Sequence, residues 1–339
     1  MRPAPTSFTL PERFPVSMKP ALLIARRLTA PVLADARRDF DIVESGPGDI
    51  DTAETVRLLR ETGAPALVFS SNVRLDAATI AALPETLKIA ATCSVGFDHI
   101  DVAAAARKGL PVTNTPGTLD ECTADHAFML LLAAARRARA YIAMVDAGGG
   151  RVLQLDEMLG LRVSGKVLGI VGMGRIGRAM AARARGFGMS VVYTGRTRLP
   201  PALEQGALFF EDFRAMLGAA DFVSLHAPGG PTTNGMIDRA AIAGMRRGAV
   251  LINTARGSLI DEDALIEALQ DGQLFAAGID VWNDEPAVNP RLVALPNVIM
   301  TPHMASATRE TRDAMGFRAL ANIRAVLSGR PPIDPLTTG

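Results

Sequence analysis

A chain of 339 residues is longer than one ordinary domain and is expected to form about two compact units, and 48% apolar with 21% charged residues describes a globular protein rather than a disordered or fibrous one. Thirty-six basic residues against thirty-five acidic ones leave no field that gathers polyanions, so nucleic acid is excluded as an expected partner, and Arg136, Arg137 and Arg139 read as a solvated helix end. Cys93 and Cys122 form no CxxC pair and no histidine stands at zinc-ligand spacing, which excludes a disulfide framework and a metal site and fits a reducing, cytoplasmic setting; the most apolar stretch, 128–135, is too short to span a membrane.

Residues 1–17 carry prolines at 3, 5, 11 and 15 without the apolar run of a secretory signal, and are expected to be an extension that precedes regular structure from Met18. Between Pro20 and Pro116, short apolar runs (21–24, 66–69, 88–91 and 111–114) alternate with helix-like stretches, the rhythm of parallel βα units. Asp120 to Ala140 predicts one long helix, with Ala, Leu and Met at helical spacing and Asp120-Glu121 in the first turn, where the helix dipole favours acids. Gly148-Gly149-Gly150 breaks that pattern. A buried strand over 166–171 opens a second α/β unit, and further strands are expected over 191–194, 222–225, 249–253, 276–280 and 298–300, giving a doubly wound parallel sheet.

Directly after the strand that ends at Val171 stands Gly172-Met-Gly174-Arg175-Ile176-Gly177, followed by helix-forming residues. A bare GxGxxG is weak evidence, but between strand and helix it has a mechanism: Gly172 allows the tight turn, Gly174 admits a pyrophosphate to the backbone, and Gly177 lets helix and strand pack closely. The helix N-terminus then offers amides to the phosphates. An NAD site would place an acid at the end of the next strand, whereas this chain reads Tyr193-Thr194-Gly195-Arg196-Thr197-Arg198. An arginine fork there suits a 2′-phosphate, so NADP(H) is preferred with NAD(H) as the alternative; Arg196 and Arg198 can also be read as solvated loop residues.

Four later segments, in the family's order, resemble those of the D-isomer-specific 2-hydroxyacid dehydrogenases: His226-Ala227-Pro228-Gly-Gly-Pro-Thr232, Ile252-Asn-Thr254-Ala255-Arg256-Gly, Gly278-Ile-Asp280-Val-Trp-Asn-Asp-Glu285-Pro286, and Thr301-Pro-His303-Met-Ala-Ser306. The similarity covers nearly all of Pro20 to Pro332, and Tyr193-Thr194-Gly195-Arg196 looks most like the glyoxylate and hydroxypyruvate reductase branch. Chemistry asks for the same residue types, because reducing a 2-keto acid needs a cation for the carboxylate, a proton donor for the ketone oxygen and an aligned hydride. Arg256 supplies the cation, His303 the proton, and Glu285 the group that pairs with and orients the imidazole.

The resemblance further implies that the backbone of His226 lines the dinucleotide cleft with Ala227, Pro228 and Thr232, that Thr254 and Ala255 do the same, and that Asp280 and Thr123 stand near the nicotinamide, with Ser306 beside the histidine. Packing is an equal reading for Thr254, Ala255 and Ser306, and His99 and His126 read as structural. Ser94-Val95-Gly96 matches the family's substrate loop, whose amides face the carboxylate together with Arg256 and His303; the alternative is an ordinary strand-to-helix turn. Where relatives often carry Gly-Trp, this chain has Gly150-Arg151, which leaves substrate size open.

The implied architecture is α/β, with two Rossmann-like or flavodoxin-like domains: a dinucleotide domain over 117–302 inserted into a substrate domain made of 18–116 plus 303–339, the pair closing over the substrate. The expected activity is NADPH-dependent reduction of glyoxylate or hydroxypyruvate to glycolate or D-glycerate. The alternatives are an NAD-linked enzyme for D-lactate, 3-phosphoglycerate or a bulkier keto acid, and a dinucleotide-sensing scaffold without turnover. A homodimer is implied, with contacts that include the helix over 120–140.

Overall fold

The computed structural model of the chain describes residues 19–43, 46, 48–149 and 151–337; the expected extension over 1–17, and Gly150, lie outside them. The described chain divides into two compact units, one formed by residues up to Thr92, by Asp101–Thr113 and from Leu320 onward, the other by Cys93–Ile100 and Asn114–Ala319. The stretches 93–100 and 303–319 therefore lie in the unit that carries the glycine loop.

The first unit runs β1 (Ala21–Ile24), α1 (Ala30–Asp39), β2 (Asp41–Val43), α2 (Thr52–Thr62), β3 (Ala66–Phe69), α3 (Ala77–Ala82), β4 (Ile89–Thr92), α4 (Val102–Lys108) and β5 (Val112–Thr113). Its strands are all parallel in the order β2-β1-β3-β4-β5, the flavodoxin-like arrangement. β3 and β4 are buried along their whole length, which is why they read as unbroken apolar runs. Asp51, Asp76 and Asp101 cap α2, α3 and α4 by accepting first-turn amides.

The second unit contains α5 (Asp120–Ala135), α6 (Ala138–Asp146), β6 (Val167–Val171), α7 (Arg175–Gly186), β7 (Ser190–Thr194), α8 (Pro201–Glu204), β8 (Leu208–Phe209), α9 (Phe213–Ala219) and β9 (Phe222–Leu225). It continues with α10 (Arg239–Ala243), β10 (Ala249–Asn253), α11 (Glu262–Gln270), β11 (Leu274–Ile279), α12 (Pro290–Val293), β12 (Val298–Met300) and the first part of α13 (Arg309–Leu327). Its parallel strands lie in the order β12-β11-β10-β9-β6-β7-β8, a doubly wound Rossmann sheet whose direction of winding reverses at β6. The expected strands appear within two residues of their positions. β2 and β8, of three and two residues, have no apolar run long enough to announce them.

The helix expected over 120–140 is two helices. Arg137 takes a left-handed backbone (φ 51°), and the Ala135 carbonyl accepts the Leu161 amide instead of continuing the helical ladder. Arg137 itself donates to the Leu159 carbonyl and lies over the Phe275 ring, so it is a packing residue and not a solvated helix end. α5 also turns its apolar residues inward: Ala124, Ala127, Leu130 and Leu131 are completely buried in a core with Ile170, Val250 and Ile252. Met129 is the exposed large apolar side chain of α5, and further ones stand on α6 (Ile142 and Val145) and at Val152, Leu155 and Leu159. Among the described residues no helix is long and apolar enough to cross a membrane, and no three His, Cys, Asp or Glu side chains group to hold a metal ion.

Candidate active site

Apart from Ser94, Val95 and Gly96, which follow β4, and Thr123 in α5, the residues singled out for chemistry follow the carboxyl ends of the second unit's strands, where a doubly wound sheet binds ligands. Gly172 follows β6 with φ 94°, and a Cβ there would fall 2.8 Å from the Ala227 nitrogen and 2.9 Å from the His226 carbonyl carbon, so the loops after β6 and β9 touch across it. A Cβ on Gly177 would lie 2.3 Å from the Gly172 oxygen, whereas one on Gly174 would meet nothing. The first position packs loop on loop, the last packs helix on loop, and the middle one keeps open space before α7. No side chain caps α7 at Gly174, so the amides at Arg175, Ile176 and Gly177 stay available to an anion.

His226 donates its amide to Val171, and its Nε2 lies 2.9 Å from the Ser224 hydroxyl. Burial holds its imidazole down to about 4, so the side chain is neutral at ordinary pH. Ala227 is buried, while Pro228 and Thr232 are exposed. On the next strand's loop, the Ala255 amide is fixed by Asn253, and the buried Thr254 hydroxyl has no hydrogen-bond partner. An orphaned hydroxyl after β10 and an uncapped, glycine-lined helix N-terminus after β6, on the same edge of the sheet, fit a bound dinucleotide, which would supply both a partner and an anion.

The loop after β7 divides its two arginines. Arg198 donates from Nε to Glu204 Oε1 at 2.9 Å and from Nη2 to Oε2 at 3.2 Å; Glu204 also accepts the Tyr193 hydroxyl at 2.7 Å, and that hydroxyl accepts the Leu199 amide. Arg198 and Tyr193 together hold the Glu204 carboxyl below the usual range, while burial raises the Tyr193 phenol. Of the two arginines expected to read the 2′ position, Arg198 thus also pairs with a carboxylate only 5% exposed, while its own side chain stays 65% exposed. Gly195 and Arg196 stand in solvent.

Arg256 follows β10. Its Nε donates to Asp98 Oδ2 at 2.5 Å and its Nη1 to the Ala255 carbonyl at 2.6 Å, which leaves Nη2 and the second hydrogen of Nη1. Any Cβ on Gly96 would fall 1.5 Å from Nη2 and one on Gly229 would fall 3.1 Å from Cγ, so glycines make the room in which the guanidinium lies. The neighbouring loop is tied down through its carbonyls: Thr115 donates to Ser94, Asn114 to Val95, and the Ser94 hydroxyl to Gly96. The polar groups that Val95 and Gly96 still offer are amides. Asp98 and Gly229 were not singled out from the sequence, although an acid two residues after Gly96 is the signal that a cation nearby has a partner.

Glu285 follows β11 and His303 follows β12, so with Arg256 the three emerge from adjacent parallel strands. His303 Nδ1 lies 2.7 Å from Glu285 Oε2, and Glu285 Oε1 accepts the Trp282 amide at 3.1 Å. With Nδ1 taken, Nε2 is the nitrogen that can exchange a proton with a ligand. His303 has a left-handed backbone (φ 54°), held by its amide's bonds to the carbonyls of Asp280 and Thr301.

Asp280, expected beside the nicotinamide, turns towards the loop after β12. It is completely buried and accepts the Thr301 hydroxyl and the amides of Met304 and Ala305. Burial pushes its carboxyl up, but hydrogen bonds from His126, Thr301 and the two amides outweigh burial and hold it below the usual range. A buried carboxylate needs such donors, and the loop supplies them. Ser306 is half-buried just beyond, and Thr123 is buried in the first turns of α5.

A glycine-loop Rossmann sheet with an arginine, a glutamate and a histidine on three successive strand ends defines a dinucleotide-dependent oxidoreductase. Residues 128–305 match the family model for the D-isomer-specific 2-hydroxyacid dehydrogenase NAD-binding domain. The chain is 39% identical over 320 residues to the glyoxylate reductase of Thermococcus litoralis, covering 93% of this chain and 96% of that one. It superimposes on a glyoxylate reductase from Paecilomyes thermophila (TM-score 0.84, 33% identity, 94% and 98% covered). The NADPH-dependent glyoxylate/hydroxypyruvate reductase of Sinorhizobium meliloti, solved with NADP and malonate, is similar as well (TM-score 0.83, 32% identity, 94% and 97% covered). The chain belongs to the D-isomer-specific 2-hydroxyacid dehydrogenase family and falls with its glyoxylate reductase branch. It is an NAD(P)-dependent oxidoreductase.

Proposed function

We propose that this enzyme is an NADPH-preferring reductase of small 2-keto acids, converting glyoxylate or hydroxypyruvate to glycolate or D-glycerate. The carrying observation is the trio on adjacent strand ends, with Arg256 laid over Gly96 and His303 fixed by Glu285. Relatives named for glyoxylate reduction support the substrate class.

In this reading the amides after β6, with Thr254 and the backbone at His226–Pro228, hold the dinucleotide, which supplies the hydride when bound. Arg256 receives the substrate carboxylate through Nη2 and the second hydrogen of Nη1, aided by the Val95 and Gly96 amides. His303 gives the proton on Nε2 to the ketone oxygen, and Glu285, across Nδ1, stabilises the ring orientation throughout. A neutral His226, by contrast, contributes backbone and no acid.

NADPH preference rests on Gly195 and Arg196, exposed where an NAD site would carry an acid. Neither cysteine is in a disulfide, which suits a cytoplasmic setting, and the exposed apolar side chains of α6 and 152–159 suit a homodimer that light scattering would detect.

The test is steady-state kinetics with glyoxylate and hydroxypyruvate, NADPH and NADH. The parent should favour NADPH by at least about tenfold in kcat/KM, and Gly195→Asp with Arg196→Ala should reverse it. Equal efficiency with both cofactors would overturn the preference. His303→Ala should lower kcat by about two to four decades while dinucleotide binding persists, and near-normal turnover would overturn the proton assignment.

A further inference from the structure

α5 touches the loop that carries His303 at two points four residues apart, on one helical face. Cys122 Sγ donates to the Ala305 carbonyl at 3.2 Å, and His126 Nε2 lies 2.8 Å from Thr301 Oγ1 and 3.4 Å from Asp280 Oδ1. Proton counting fixes the direction of these bonds. The Thr301 hydroxyl has one hydrogen, and at 2.5 Å from a carboxylate oxygen that can only accept, it donates there. Its lone pairs therefore receive, and His126 must present an N–H at Nε2. The relay runs from His126 through Thr301 to Asp280, which also grips the amides of Met304 and Ala305.

Between these grips sits His303 in a left-handed conformation that a non-glycine residue keeps only when its surroundings impose it. We infer that His126 is a positioning residue for His303: its Nε2–H, passed through Thr301 to Asp280, holds the loop in the conformation that aims the Nε2 of His303. The inference rests on His303 as the proton donor. His126 itself touches no reacting atom, so its effect is exerted entirely through that imidazole.

Three substitutions separate this role from plain packing, each assayed with NADPH and glyoxylate, with dinucleotide affinity followed by fluorescence and folding by thermal melting. His126→Leu should lower kcat about tenfold or more, the scale expected of a displaced catalytic group, with dinucleotide affinity within about twofold of the parent. His126→Gln, whose amide nitrogen reaches the Nε2 position, should recover kcat to within about threefold, whereas His126→Asn, which reaches only Nδ1, should not. In a His303→Ala background, His126→Leu should cost less than about twofold more, because the group it positions is gone. Unchanged kcat in His126→Leu, or an additive loss on top of an impaired His303→Ala enzyme, would overturn the inference alone. Near-normal turnover of His303→Ala by itself would overturn both the proton assignment and this inference. Should His126→Leu fail to fold, equal activity of the Gln and Asn variants overturns it.

Discussion

Asp98 lies 2.5 Å from the Nε of Arg256, and this carboxylate holds the guanidinium over the Gly96 loop, beside the site proposed for the anionic substrate. Asp98→Asn can keep the hydrogen bond but removes the charge. For a half-exposed pair that repulsion is modest, so KM for glyoxylate should fall about two- to fivefold, roughly 0.5–1 kcal/mol, with kcat little changed. Asp98→Ala should instead lower kcat/KM about tenfold, because the guanidinium loses its orientation. Steady-state kinetics of both variants checks the pair; equal behaviour of Asn and Ala would mean the contact orients nothing.

Gly96 leaves no room for a methyl group under the Arg256 Nη2. Gly96→Ala should displace the guanidinium and reduce kcat/KM by about two decades, with the thermal midpoint nearly that of the parent since the loop is only half-buried. Arg256→Lys keeps the charge without the planar fork and should lose at least about tenfold, near 1.4 kcal/mol. A lysine enzyme as efficient as the parent would show that no fork is used.

Arg196 and Arg198 should part company. Arg196→Ala should erase about a decade of NADPH preference, whereas Arg198→Ala should leave the NADPH-to-NADH ratio within about threefold. Arg198→Ala should nevertheless melt at lower temperature, because the buried Glu204 keeps only the Tyr193 hydroxyl on its carboxylate. The reverse pattern, with cofactor ratio tracking Arg198, would reassign the 2′-phosphate to that residue.

His226 gives a pH signature. Its imidazole titrates near 4 in the fold and near 6.5 in the unfolded chain, so between those values the unfolded state binds the proton that the native state refuses. Stability from this group is full above 6.5 and declines as pH falls towards 4. Between pH 7 and 5 the parent should lose on the order of 1–2 kcal/mol more than His226→Gln, measured by urea unfolding. Parallel pH dependences of the two proteins would show that the imidazole titrates normally in the fold.

What the linear chain declares is what short-range chemistry dictates. Unbroken apolar runs marked strands buried on both faces, such as Ala249–Asn253, and the strand-turn-helix spacing of Gly172, Gly174 and Gly177 marked a phosphate cradle, because each signal is complete within a few residues. Arg256, Glu285 and His303 stood out because their segments carry recognisable chemistry and resemblance. Tertiary structure alone decided the partners. That Ala135 gives its carbonyl to Leu161 and so ends a helix, that Arg198 answers Glu204 while Arg196 does not, that Asp280 turns inward to the His303 loop, and that Asp98 meets Arg256 across 158 positions all depend on where distant backbone arrives. A buried carboxylate or carbonyl takes whatever donor the fold brings within about 3 Å, and no local sequence pattern encodes which one that is.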